Sequence, residues 1–139
     1  MNIRKARKSD FEKIDSLSVE LGYKQEEKKI VHKRLENIIN SSVDNLLVYE
    51  SGNIIKGWVH FFIANRVASE SFIEIGGLVV DSKTRREGIG RSLVEYVKEW
   101  AILNNYSLRV RCNIKRENTH KFYESLDFFN KKTQYVFQE

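Results

Sequence analysis

Apolar residues recur along this chain with two different periods, and the switches between them lay out its elements. Residues 3–7 read as a short first strand. Ser9-Asp10-Phe11-Glu12 has the form of a capping box, and Phe11, Ile14, Leu17 and Leu21 then recur at helical spacing up to Gly22. A second helix covers about residues 25–40, with Ile30, Val31, Leu35, Ile38 and Ile39 along one side. Strand-like residues 46–50 and 54–64 flank Ser51-Gly52-Asn53 as a hairpin, and residues 72–80 form the next strand. A helix opened by Gly88 and Gly90 carries Ile89, Leu93, Val97 and Ala101 on its apolar face. A strand over 107–112, a helix over 118–126 and a last strand near 133–138 complete the chain. The order β-α-α-β-β-β-α-β-α-β predicts an α+β domain with a mixed sheet.

Composition narrows this only a little. At 139 residues, 41% hydrophobic and 31% charged, the chain has the make-up of one ordinary soluble domain. Proline is absent, and no repeat or low-complexity tract interrupts the pattern. The start, Met1-Asn2-Ile3-Arg4-Lys5-Ala6-Arg7, lacks the apolar core of a signal peptide, and no apolar run is long enough to span a membrane. The single cysteine, Cys112, excludes an internal disulfide framework, suits a reducing compartment and reads as strand packing. His60 and His120 invite a metal or a general-base reading, and both are isolated from any cluster with metal-ligand spacing. The net charge of +5 suits a polyanionic partner, and the basic residues are scattered except at one turn.

That turn carries the densest chemistry. Leu78-Val79-Val80 runs into Asp81-Ser82-Lys83-Thr84-Arg85-Arg86-Glu87, and Gly88-Ile89-Gly90-Arg91-Ser92 opens the helix. Amides at a helix start are unbonded and lie at the positive end of the dipole, so anions settle there. Glycine at 88 and 90 leaves those amides uncovered, and Arg85, Arg86 and Arg91 add positive charge. The arrangement suits a pyrophosphate; the plain alternative is a glycine-rich turn with solvated arginines. A nucleotide P-loop needs a second glycine followed by Lys and Ser/Thr, and a dinucleotide fingerprint needs a third glycine where Leu93 stands. What remains, Arg85-x-x-Gly88-x-Gly90 between a strand and a helix, resembles motif A of the GNAT acetyltransferases, which hold the pyrophosphate of acetyl-CoA.

A second segment carries the same resemblance. Asn118, Phe122-Tyr123 and Leu126-Asp127-Phe128 fall on the Asn, Phe-Tyr and Leu-Gly-Phe-like positions of the GNAT helix past the splayed fifth strand. Asp81 stands where Pro is common and Asp127 where Gly is usual; Asp tolerates left-handed backbone better than most residues. The resemblance is close over about residues 70–137, and residues 113–123 most resemble small-amine acetylators, in particular the aminoalkylphosphonate N-acetyltransferases. It implies a single GNAT domain over residues 1–139, with a mixed, mostly antiparallel sheet flanked by about four helices. It also implies acetyl-CoA as co-substrate, held by Leu78, Val79, Val80, Arg85, Arg86, Glu87, Gly88, Ile89, Gly90, Arg91, Ser92, Asn118 and Tyr123.

Acetyl transfer to an amine needs a positioned thioester, a donor to its carbonyl oxygen, a base for the ammonium and a proton for the departing sulfur. Glu74 is the expected base: it precedes Gly88 by the spacing of GNAT enzymes that use a strand glutamate. Alternation places it on one strand face, ahead of a Gly76-Gly77 break of the kind that marks a bulge or a close backbone approach. A salt bridge at the sheet rim is the other reading of Glu74. The resemblance makes the Leu78 amide the donor to the thioester oxygen and Tyr123 the acid for the thiolate. A core stripe is the alternative for Tyr123, and an N-cap role suits Asn118. Tyr23 joins Glu74 as a substrate-binding candidate.

The function so implied is direct acetyl transfer, in a ternary complex, to a primary amine of a small molecule. The partners are acetyl-CoA and that amine, in the cytoplasm, with no nucleic acid, membrane or metal, and a homodimer left open. A protein or peptide N-acetyltransferase and a non-catalytic acyl-CoA sensor are the competing functions.

Overall fold

The computed structural model describes residues 2–84, 87–112 and 115–139. Among them, five strands form one sheet in sequence order: β1 (Ile3–Lys5), β2 (Asp44–Ser51), β3 (Ile54–Ala64), β4 (Phe72–Val80) and β5 (Leu108–Val110). Neighbours are antiparallel up to β4, and β5 joins β4 in parallel. A parallel return needs a long crossover, which α3 (Ile89–Leu103) supplies. Helices α1 (Phe11–Ser18) and α2 (Lys28–Ile39) precede β2, and α4 (Glu117–Glu124) follows β5. This is the predicted α+β arrangement.

Strand alternation feeds two cores. Val59, Phe61, Ile73 and Ile75 face α3, whose Leu93, Val94 and Val97 are fully buried against them. Leu46, Val48, Ile55, Trp58 and Val79 face the other way, toward Phe11, Ile14 and Leu17 of α1 and Val31 and Leu35 of α2. Each such aliphatic side chain gains about 1.5–3 kcal/mol from burial, so both faces of the sheet are firmly covered.

β4 changes phase midway. His60 pairs with Gly77 and Phe61 with Ile75, which leaves Gly76 as the extra residue of a bulge. Before the bulge Ile73 and Ile75 face α3; after it Leu78 and Val80 do. The ladder to β5 ends with Ile75 opposite Val110, so among the described residues the rest of β4 has β3 on one side and no strand on the other. The Asp81 amide donates to the Lys56 carbonyl at 2.8 Å. Counting back in twos turns the amides of Val79 and Gly77 toward β3 and those of Leu78 and Val80 toward the open side.

Several expectations are corrected. Ser9 does not cap α1 with Glu12: residues 8–10 form a 3-10 turn, and Asp10 accepts the Arg7 amide at 2.7 Å. Asp10 is drawn into that role by Arg4, whose guanidinium grips both carboxylate oxygens at 2.8 and 2.9 Å. The last strand does not form. Residues 133–138 are exposed and unpaired to the sheet although β5 is an edge strand: alternation marks a strand face but does not by itself bring the segment to a neighbour.

Candidate active site

Gly88 is the N-cap of α3, left-handed at φ 77°, and no side chain caps the helix there. A Cβ at this position would meet no heavy atom within 4 Å among the described residues. The preceding turn is held by Asp81, whose carboxylate accepts the Lys83 amide at 3.0 Å and whose carbonyl accepts the Thr84 amide at 3.0 Å. Arg91 is drawn along α3 to Glu95, 3.4 Å away and half exposed, rather than toward the turn. Arg85 and Arg86, both expected at the cradle, lie outside the described residues.

Three elements that carry expected cofactor residues meet at the start of α3. A Cβ on Gly90 would lie 3.3 Å from Phe122 Cζ and 3.5 Å from Val80 Cγ2, so helix, open strand edge and α4 meet there. Leu78 and Val80 present amides to that edge, whereas Val79 turns to β3 and the α1–α2 core. Tyr123, next to Phe122, is buried, with edge-on ring contacts to Phe122 and Phe128 at 5.1 and 5.5 Å. Burial pushes its phenol well above the ordinary tyrosine range; Cys112 adds to the rise and Arg116 opposes it. Cys112 packs against the same core, and burial raises its thiol as well. Asn118 is not an N-cap, because Arg116 holds that position. It lies in the first turn of α4 beside a cavity of about 400 Å³ that Lys115 and Thr119 also line. Asp127 is left-handed at φ 68°, as its place in the Leu-Asp-Phe turn requires.

On the opposite face, α1, α2 and the sheet enclose a cleft of about 590 Å³ whose floor is Trp58, His60, Gly76 and Gly77. The two glycines are forced by crowding: a Cβ on Gly77 would lie 2.9 Å from the Trp58 ring, and one on Gly76 2.8 Å from His60 Nδ1. Tyr23 stands at the rim, 81% exposed. Arg34 lines the wall, fixed by Glu26 at 2.8 Å. The Trp58 indole N–H is buried without a hydrogen-bond partner among the described residues.

Glu74 is opposite Phe62, on the cleft side of the sheet but before the bulge, and it does not line the cleft. Its carboxylate accepts Arg111 Nε at 3.0 Å, the salt-bridge arrangement. The group that sequence reasoning missed is Asp44–His60: His60 Nε2 lies 2.7 Å from Asp44 Oδ1, both side chains about four-fifths buried. The two are diagonal neighbours on β2–β3 only because the ladder shifts by one residue between Tyr49 and Glu50; the register of the turn alone would set them on opposite faces, so no local signal paired them.

No three His, Cys, Asp or Glu among the described residues are grouped to hold a metal ion. No described helix is long and apolar enough to cross a membrane.

The sheet parts along β4, with a glycine-opened helix at the parting and a cleft on the far face. The sequence matches the model of the Acetyltransferase (GNAT) family over residues 3–128, and the chain belongs to that family. A transcriptional regulator from Bacillus halodurans C-125 has the same fold, with a TM-score of 0.88 at 21% identity over 99% of this chain and 98% of that one. So does an aminoglycoside antibiotic 6'-N-acetyltransferase from Acinetobacter haemolyticus, at 0.83 and 16% identity over 100% and 98%. An aminoglycoside N-acetyltransferase solved in complex with CoA gives 0.86 at 15% identity over 99% and 93%. No curated protein matches the sequence.

Proposed function

We propose that this chain moves the acetyl group of acetyl-CoA to a primary amine of a small molecule, by direct transfer in a ternary complex. One observation carries the reading: the cleft floor at Gly76–Gly77 adjoins the stretch of β4 whose Leu78 and Val80 amides have no strand to bond. The uncapped amides of α3 behind Gly88 would hold the pyrophosphate, and the free edge of β4 the pantetheine. The Leu78 amide would donate to the thioester oxygen, whose negative charge grows during attack.

The proton balance assigns further roles. A primary ammonium gives up one proton before attack and a second as the amide forms; one of the two must reach the sulfur, and the other leaves with a base. Tyr123 supplies the sulfur's proton, since burial keeps its phenol protonated at neutral pH. Glu74, just ahead of the bulge on the cleft side, attracts the cationic amine, and Tyr23 closes the rim. Aminophosphonates, polyamines and aminoglycosides are the acceptor classes that follow from the motif resemblance and the fold relatives. The cytoplasm, where acetyl-CoA is made available and a lone thiol stays reduced, is the proposed location.

A homodimer is proposed as well. Tyr135, Val136 and Phe137 are 87–91% exposed in a strand-patterned segment without a partner, and β5 has an open outer edge. Addition of this segment to β5 of a second copy would satisfy both.

Free-thiol release from acetyl-CoA, measured across a panel of small amines and lysine-bearing peptides, tests the function. Turnover on small amines supports it. Turnover on peptides alone, or CoA binding without any turnover, overturns it in favour of a peptide enzyme or a sensor.

A further inference from the structure

We propose that His60, oriented by Asp44, is the base that takes the proton from the acceptor ammonium; this rests on the transferase reading above. A carboxylate only accepts hydrogen bonds, so at the 2.7 Å contact the proton lies on His60 Nε2. In the neutral ring Nδ1 is then the unprotonated nitrogen. That nitrogen lies over Gly76, 2.8 Å from where a Cβ would be, on the floor of the cleft and at the bulge where the open edge of β4 begins. The acceptor nitrogen must reach the thioester at this place. The ring is anchored by Asp44 and neighboured by the Phe62 ring, 5.6 Å distant.

The glycines now acquire a chemical reason. Any side chain at Gly76 would cover the lone pair of Nδ1. Asp44 is a positioning residue: it fixes the tautomer and stabilises the imidazolium formed when the proton arrives, the service a buried carboxylate gives a catalytic histidine in hydrolases. Glu74 has no such geometry, since its oxygen is engaged by Arg111 and it stands outside the cleft. The step balances: the N–H bond of R–NH3⁺ breaks, its electron pair stays on nitrogen for attack, and the proton moves to Nδ1 and then to solvent through the cleft. The charged groups sharing that cleft are Asp15 of α1, Lys24 and Glu26 of the following loop and Arg34 of α2, with Asp44 beneath the ring.

The experiment combines two measurements on the full chain. Two-bond ¹H–¹⁵N correlation spectra of the imidazole rings in the free protein should show His60 as the Nε2–H tautomer, and Asp44→Asn should alter its tautomer balance. A dominant Nδ1–H tautomer overturns the proposal, whatever the activity. In kinetics with acetyl-CoA and the best amine of the panel, His60→Gln should lower kcat/KM near neutral pH on the order of 10²-fold or more. The loss should shrink as pH nears the acceptor's own pKa, and acetyl-CoA affinity should be unchanged. His60→Ala, melting at a similar temperature, should recover activity with added imidazole. An active wild type with His60→Gln within about threefold of it overturns the assignment and leaves the transferase reading intact. A wild type that binds acetyl-CoA and acetylates no amine overturns both.

Discussion

The Glu74 carboxylate accepts a hydrogen bond from Arg111 Nε at 3.0 Å, tying β4 to the residue that follows β5. The bond closes the parallel ladder just before the sheet parts. If Glu74 serves only to attract the amine, Glu74→Gln raises KM for a cationic acceptor, leaves kcat within about threefold, and is partly mimicked by salt. Steady-state kinetics on the variant from about pH 6 to 10 checks this. A fall in kcat that fades toward high pH, with KM held, would make Glu74 the base after all.

The uncovered amides behind Gly88 predict that acetyl-CoA binds without any acceptor and more weakly as salt rises. Gly88→Asp strains a left-handed position and puts a carboxylate over the helix start, so binding should be lost. Calorimetry at two salt concentrations measures both effects. Undiminished affinity in the variant would place the pyrophosphate elsewhere.

Removing the Tyr123 hydroxyl should lower kcat on the order of 10²–10⁴-fold while acetyl-CoA affinity changes little. Because burial holds the phenol protonated, the wild-type profile should show no tyrosine limb up to pH 9 or so. Single-turnover rates for Tyr123→Phe decide the matter; a change under about threefold returns Tyr123 to the core with Phe122 and Phe128.

Acid should unfold the domain partly through Asp10. Burial alone would raise its pKa, but the Arg4 guanidinium and the Arg7 amide together hold it below its ordinary value of 3.8. Arg4 likewise lowers Glu50 from 4.5. Depressed carboxylates contribute stability that is complete above those ordinary values and is lost as pH falls through the lower ones. Asp10→Asn should cost roughly 1–3 kcal/mol at pH 7 and less near pH 3, where the contribution has begun to fall. Urea melts at the two pH values give the comparison.

Truncation after Lys131 should convert a dimer to a monomer in sedimentation and leave β1–β5 folded, since the removed residues pack on neither core. A full-length chain that is already monomeric at micromolar concentration would dispose of strand exchange.

How much of this was legible depends on how local the cause was. β4 matches its predicted limits because a continuous apolar run ends in a polar turn, and the Gly76-Gly77 break does mark a bulge. The Asp127 backbone conformation could likewise be read from one residue and its place in a turn. Asp44–His60 could not, since the contact exists only once the hairpin register is set. Helix α1 begins differently from its capping pattern because Arg4, on another element, competes for Asp10. Residues 133–138 show the limit of periodicity: a pattern states which face a strand would bury, and only a neighbour makes it a strand.

The bulge bears on how this domain can change over time. β4 contains nine residues but offers eight to the β3 ladder, with Gly76 left over. Deleting that residue would leave Gly77 opposite His60 and Leu78 opposite Val59, so the ladder would become regular while the same side chains still met α3. A substitution at 76 crowds one ring; the deletion removes the break itself and one glycine of the cleft floor. Loss of Gly76 should therefore spare the fold and disturb the cleft floor alone, so that the break, more than the pairing around it, is what inheritance must keep.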